Sequence, residues 1–229
     1  MINLANNQIG FILSIFAALS TMIGWLIVVV KKRLSKFVVA ISLLMAAFTM
    51  ILISLIELLQ TANKVGLAVG ATLFWLAVGV FVVVFLRFVS DKLEIAGNRL
   101  KKSAILVATA LILHNFPEGS VAISTTIVDF NSGLVAAVAI SLHNIPEGLA
   151  IAVTSVAAGM GARKVFALVA ASAIAEILGA VVVFLGSQAL SEILVAKLLT
   201  VVAGIMFTVA VTELIPHGFA SLHRGRSKL

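Results

Sequence analysis

Long apolar runs recur along the whole chain, each close to the ~20 residues that cross a hydrocarbon core roughly 30 Å thick. Short polar stretches separate them. None shows the two-residue alternation of a barrel strand, so the runs predict helices. Seven spans are expected: 9–30, 37–59, 65–89, 103–128, 133–158, 165–187 and 193–215. The predicted fold is an all-α polytopic membrane protein, a helix bundle forming a single transmembrane domain over 1–229, with Pro-kinked fourth and fifth helices at Pro117 and Pro146. The first run has no basic segment before it and Lys31-Lys32-Arg33 after it, which reads as a retained span and not a cleaved signal peptide. Gly66 and Gly70, four residues apart, would let one face of the third helix pack closely.

Composition narrows the chemistry. The chain is 62% hydrophobic and only 11% charged, and it has no cysteine, which excludes disulfides, thiolate metal sites and cysteine nucleophiles. A net charge of +7 in a soluble protein would suggest nucleic acid or an anionic surface. Here the cations sit in loops, and nucleic-acid binding is not expected. All the Lys and Arg residues except Lys64 and Lys197 fall in loops or tails on one side of the expected bundle. The positive-inside rule makes that side cytoplasmic in a multi-pass inner (plasma) membrane protein, with the N-terminus outside and, for seven spans, the C-terminus in the cytoplasm.

One phrase occurs twice: His114-Asn115-Phe116-Pro117-Glu118-Gly119 and His143-Asn144-Ile145-Pro146-Glu147-Gly148. In a helix, residues i and i+4 share a face, so His114 pairs with Glu118 and His143 with Glu147. Each pair offers an imidazole nitrogen and a carboxylate in one direction. Both lie near the middle of a span, and the sixth span centres on Glu176. Ionised carboxylates at that depth would cost several kcal/mol (about 2.5–3.5 each on insertion scales) unless something offsets them. A divalent cation would do so, and a nitrogen and oxygen set without sulfur suits Zn²⁺, Fe²⁺, Mn²⁺ or Co²⁺. Five candidate ligands also leave room for two ions. Asn115 and Asn144 would ligate or orient a ligand. Pro117 and Pro146 take the helical donor away from the carbonyls of Leu113 and Leu142, a device tolerated at depth only beside a cavity or a protein partner. Gly119 and Gly148 would allow close backbone approach.

Single buried residues of these types also have plainer roles. A transmembrane histidine often serves as an interhelical hydrogen-bond donor, and a proline often only bends its helix. It is the duplication in one order that favours a shared site. Glu57 near one end of the second span, and Glu213 with His217 near the inner end of the seventh, are candidates for entrance and exit of a cation, or simply reach interfacial water. His223, Asp91, Glu94, Asp129 and Glu192 carry no such claim.

HNFPEG on the fourth span, HNIPEG on the fifth and Ala175-Glu176-Ile177-Leu178-Gly179 on the sixth resemble the ZIP (Zrt/Irt-like) metal-transporter family, and within it the bacterial ZupT-type branch. Ser54-Leu55-Ile56-Glu57, Val202-Ala203-Gly204-Ile205-Met206 and Glu213-Leu214-Ile215-Pro216 fit as well. The resemblance implies import of divalent metal, zinc and with it iron, manganese, cobalt or cadmium, into the cytoplasm through a binuclear-type site. By position, His114, Asn115 and Glu118 would match the fourth-helix ligands; His143, Asn144 and Glu147 would match those of the fifth, and Glu176 that of the sixth. It further implies a homodimer and movement of one helix group against another. The family has eight spans with both termini outside, whereas this pattern supplies seven. Two other readings stand beside transport. A membrane metal-binding or sensing protein without flux would suit a bundle lacking one helix. An intramembrane metal-dependent hydrolase would share the buried site, but the motifs read HNxPEG and not HExxH, which would put a general-base Glu beside the first ligand. Enzyme activity is not expected.

Overall fold

The computed structural model describes residues 4–31, 35–92, 99–186 and 192–226. Among these the fold is entirely helical: α1 (Leu4–Val30), α2 (Lys36–Val65), α3 (Val69–Lys92), α4 (Arg99–Val128), α5 (Phe130–Ala157), α6 (Ala162–Gly186), α7 (Glu192–Val209) and α8 (Ile215–Arg226). A π-helical turn, Ala210–Leu214, joins α7 to α8, so these three form one continuous rod. Six stretches are long and apolar enough to cross a membrane, Asn6–Val30, Val69–Val89, Ala104–Ile127, Phe130–Ala157, Ala162–Gly186 and Ala196–Leu222. The remaining helix, α2, is 30 residues long.

Local chemistry sets several ends. Ser35 caps α2 by accepting a hydrogen bond from the Val38 amide at 3.2 Å. Asp129 caps α5 by accepting from the Ser132 amide at 2.8 Å, and that bond holds its carboxyl below the usual carboxylate range. Gly66 ends α2 in the left-handed region, φ 61°, which glycine adopts without a Cβ clash. This corrects the expectation of a Gly66–Gly70 packing face. Gly66 lies outside the third helix, and no atom of a neighbouring element comes within 4 Å of where a Cβ would sit on either glycine. The signal was really a helix stop. Hydroxyls inside the spans bond back to their own helix, as Ser54 does to the Met50 carbonyl at 2.7 Å and Thr126 to Ala122 at 2.7 Å, which keeps them satisfied at depth.

Packing separates the helices into two groups. α1, α4, α5 and α6 lie against one another, while α3 packs chiefly on α7 and α2 on α7 and α8. Glycines permit the closest approaches. A Cβ on Gly148 would meet the backbone of Thr21 in α1, and one on Gly24 would meet the backbone of α5. Gly119 and Gly179 do the same for α4 and α6: a Cβ on either would strike the other helix's backbone, at Glu176 and at Phe116. Gly79 and Gly204 bring α3 to α7. Between the groups lies an apolar seam with Leu43 and Met50 of α2, Leu111 of α4, Ile151 of α5 and Met206 of α7 in one buried cluster.

Candidate metal centre

α4 and α5 are the helices that carry the duplicated phrase, and both continue through their prolines without a break. One turn separates His114 from Glu118, and one turn separates His143 from Glu147. The structure aims all four side chains at a common point. His114 Nε2 lies 3.1 Å from Glu118 Oε2 and 3.4 Å from Glu147 Oε1. His143 Nε2 contacts Glu118 Oε1. One ligand atom from each of the four residues lies within 4.8 Å of the other three. A zinc ion with bonds of ~2.1 Å holds tetrahedral ligands ~3.4 Å apart, so this cluster needs only a small contraction to close on one. All four residues are buried, His114 and Glu147 completely, at 0% exposure.

A second layer surrounds these donors. Glu176 of α6 is fully buried, and its Oε2 accepts from Asn144 Nδ2 at 2.8 Å. The same amide donates to the Ala17 carbonyl of α1 at 2.9 Å. Both partners are acceptors, which fixes the amide's orientation. Asn115 Nδ2 donates to Ser172 Oγ of α6 at 3.0 Å. The nitrogen ends of both asparagines are thus engaged by protein. Their Oδ1 atoms, Glu176 Oε1 and His114 Nδ1 are buried and have no hydrogen-bond partner among the described residues. Oxygen acceptors left without donors at 0% exposure are costly, and a cation or its bound water is the partner that would satisfy them.

The structure therefore gathers His114, Glu118, His143 and Glu147 directly, sets Glu176 and Asn144 beside them through a hydrogen bond, and places Asn115 against α6. Ser172 and the Ala17 carbonyl were not anticipated. Ser172 stands one turn before Glu176 on the same face of α6, a spacing that could have flagged it. The proposed exit residues lie elsewhere. Glu213, in the π-helical turn, is buried and pairs with Arg87 of α3, Oε1 to Nη1 at 3.3 Å. His217 lies one turn on, with Nδ1 2.6 Å from the Glu213 carbonyl oxygen and 4.0 Å from its Oε2. Glu57 is on α2, but its side chain lies outside the described residues.

Residues 90–229 match the family model described as ZIP zinc transporter. The chain is 37% identical over 227 residues to the zinc transporter ZupT of Enterobacter sp. (strain 638), covering 91% of this chain and 86% of that protein. It is 36% identical over 226 residues to the zinc transporter ZupT of Escherichia fergusonii and 34% identical over 226 residues to that of Shigella flexneri serotype 5b, with the same coverage.

Proposed function

The chain belongs to the ZIP zinc transporter family, and from that premise we propose that it carries divalent metal, zinc first, across the membrane into the cytoplasm by way of the His/Glu centre between α4 and α5. It is a transporter and not an enzyme. The observation that carries the residue assignment is the meeting of His114, Glu118, His143 and Glu147 within 4.8 Å at the buried middle of two membrane-length helices. Asn115, Asn144 and Glu176 supply further oxygens to the ion or to a second one beside it. The basic loops support a cytoplasmic placement for the α1–α2 and α5–α6 ends and an outside N-terminus. Glu57 would attract the ion at the outer mouth. Glu213 and His217 would receive it only when Arg87 swings away, since that guanidinium now neutralises the carboxylate. The nitrogen and oxygen donors also suit Fe²⁺, Mn²⁺, Co²⁺ and Cd²⁺ as competing cargo. A homodimer is part of the proposal.

The test is uptake of radiolabelled zinc by proteoliposomes. His143→Ala and Glu147→Ala should each lower the initial rate by at least about 10–100-fold, the loss expected even when only a group that orients a metal ligand is removed. Competition with Fe²⁺, Mn²⁺, Co²⁺ and Cd²⁺ in the same assay reads selectivity. Unchanged uptake in both variants would overturn the site. Zinc binding without flux in the unaltered protein would overturn transport while leaving the site intact.

A further inference from the structure

A hydroxyl inside a membrane helix ordinarily donates to a carbonyl one turn back. Ser14 and Ser20 of α1 do so, to Gly10 at 3.0 Å and Ala17 at 2.7 Å, and Thr126, Thr154, Thr200 and Thr208 do so in their own helices. Thr21 of α1 does not. It is 0% exposed, and its Oγ1 has no hydrogen-bond partner among the described residues. The cause lies one turn earlier. The carbonyl that Thr21 would use is that of Ala17, which already accepts from Asn144 Nδ2 at 2.9 Å and from Ser20 Oγ at 2.7 Å. Two lone pairs are then taken by side chains alone. An unpaired O–H at this depth is costly, and a valine of the same shape would avoid the cost.

Thr21 stands beside the His/Glu centre. A Cβ on Gly148, the residue after Glu147, would lie 3.1 Å from Thr21 Cγ2. Ala17, one turn before Thr21, holds Asn144, and Asn144 in turn holds Glu176 Oε2 at 2.8 Å. Asn144 Oδ1 and Glu176 Oε1 are buried and, like Thr21 Oγ1, have no partner among the described residues. Three helices, α1, α5 and α6, thus each bring one such oxygen to the same neighbourhood. Thr21 lies on the side of Ala17 that leads to Val30 and the basic loop after it. We propose that Thr21 is a positioning residue of the metal centre, its Oγ1 accepting a hydrogen bond from a water carried by the bound divalent cation on the side facing that loop. A water polarised by a cation is a strong donor, and a hydroxyl can take its proton without adding charge to the site. The role rests on the His/Glu centre proposed above and adds to it a side chain of α1, which otherwise reaches the centre only through a backbone carbonyl.

The experiment pairs zinc titration calorimetry with thermal melts of the full chain in detergent. Thr21→Val keeps the shape and removes the hydroxyl. Its metal-free form should melt about 2–4 °C higher than wild type, because a buried unpaired O–H is gone. Its zinc affinity should fall by about 10–100-fold. Thr21→Ser keeps a hydroxyl and should bind zinc within about threefold of wild type. Thr126→Val removes a hydroxyl that is bonded to the Ala122 carbonyl and should leave zinc affinity within about twofold. A threonine that only fills space would not move stability and affinity in opposite directions. Unchanged affinity in Thr21→Val overturns the proposal, and so does equal loss in Thr21→Ser. An earlier metal-free melt of Thr21→Val also overturns it, since the hydroxyl would then have a partner within the protein. A wild-type protein that binds no zinc at all would overturn the His/Glu centre itself, and the role of Thr21 with it.

Discussion

Ser172 is fully buried and its hydroxyl accepts the Asn115 amide, which leaves Asn115 Oδ1 as that side chain's only uncommitted polar atom. Ser172→Ala would strand a buried N–H donor and release the asparagine's orientation. The expected cost is about 1–3 kcal/mol of stability and on the order of tenfold in zinc affinity, read by thermal unfolding and by titration calorimetry. Ser172→Thr keeps the hydroxyl and should recover most of the affinity; equal loss in both would mean the serine only fills space. Protons compete with metal for the same lone pairs. A histidine ligand must be unprotonated to bind zinc, so zinc affinity should fall as the pH is lowered from about 7.5 to about 5.5. An affinity that stays flat over that interval would argue against His114 and His143 as ligands. At this scale the duplicated hexapeptide was fully legible, because helical periodicity alone puts His and Glu on one face. Ser172 and Ala17 were not, because their role is to hold an asparagine from another helix, and no spacing within one helix encodes that.

The elements meet where side chains are missing. Gly119 faces the α6 backbone and Gly148 faces that of α1, so the last residue of each repeated phrase is a packing residue for the helix that the neighbouring His and Glu serve. Gly179→Ala would drive a methyl into the Phe116 carbonyl, and Gly148→Ala would drive one into that of Thr21. Each should force the helices apart, destabilise the bundle by at least 1–3 kcal/mol on the order of other overpacked contacts, and depress zinc uptake although every ligand is present. Gly70→Ala meets no neighbouring atom within 4 Å and should change stability by less than about 0.5 kcal/mol. A thermal melt of the three variants side by side checks the contrast, and equal losses would refute the contact reading. The sequence hid this distinction. GxxxG spacing marked Gly66 and Gly70, which meet no neighbouring element among the described residues, while Gly24 and Gly179 have no second glycine four residues away and gave no such signal. The π-helical turn at Ala210–Leu214 was also invisible. A hydrophobic pattern predicts a span and its approximate length, but not one extra residue in a turn, although Pro216 two residues beyond it removes a donor that an α-helix would need there.

Across the whole molecule, chain order and packing order differ. α1 joins α4, α5 and α6, while α2 and α3 join the rod that α7 and α8 form. All-helical architecture could be derived from the apolar runs. The grouping could not, because lipid-facing and partner-facing positions are equally apolar and only the small residues and buried polar groups tell them apart. The proposed metal centre belongs to one group alone. Its four clustered donors come from α4 and α5, and Asn144 links them to Glu176 on α6 and the Ala17 carbonyl on α1. A bound ion would therefore tie those four helices together and leave α2, α3 and α7 as they were. Zinc at 100 times its dissociation constant should stabilise the folded protein by about 2.7 kcal/mol, and chelation should remove that increment. Hydrogen exchange would show where it goes. Added zinc should slow exchange in α1, α4, α5 and α6 and leave the rates in α2, α3 and α7 within error of the metal-free protein. His143→Ala should abolish the difference. Protection spread evenly over all the helices would mean that the two groups behave as one body, and that the apolar seam at Leu43, Met50, Leu111, Ile151 and Met206 is a continuous core and not a boundary between parts that can move.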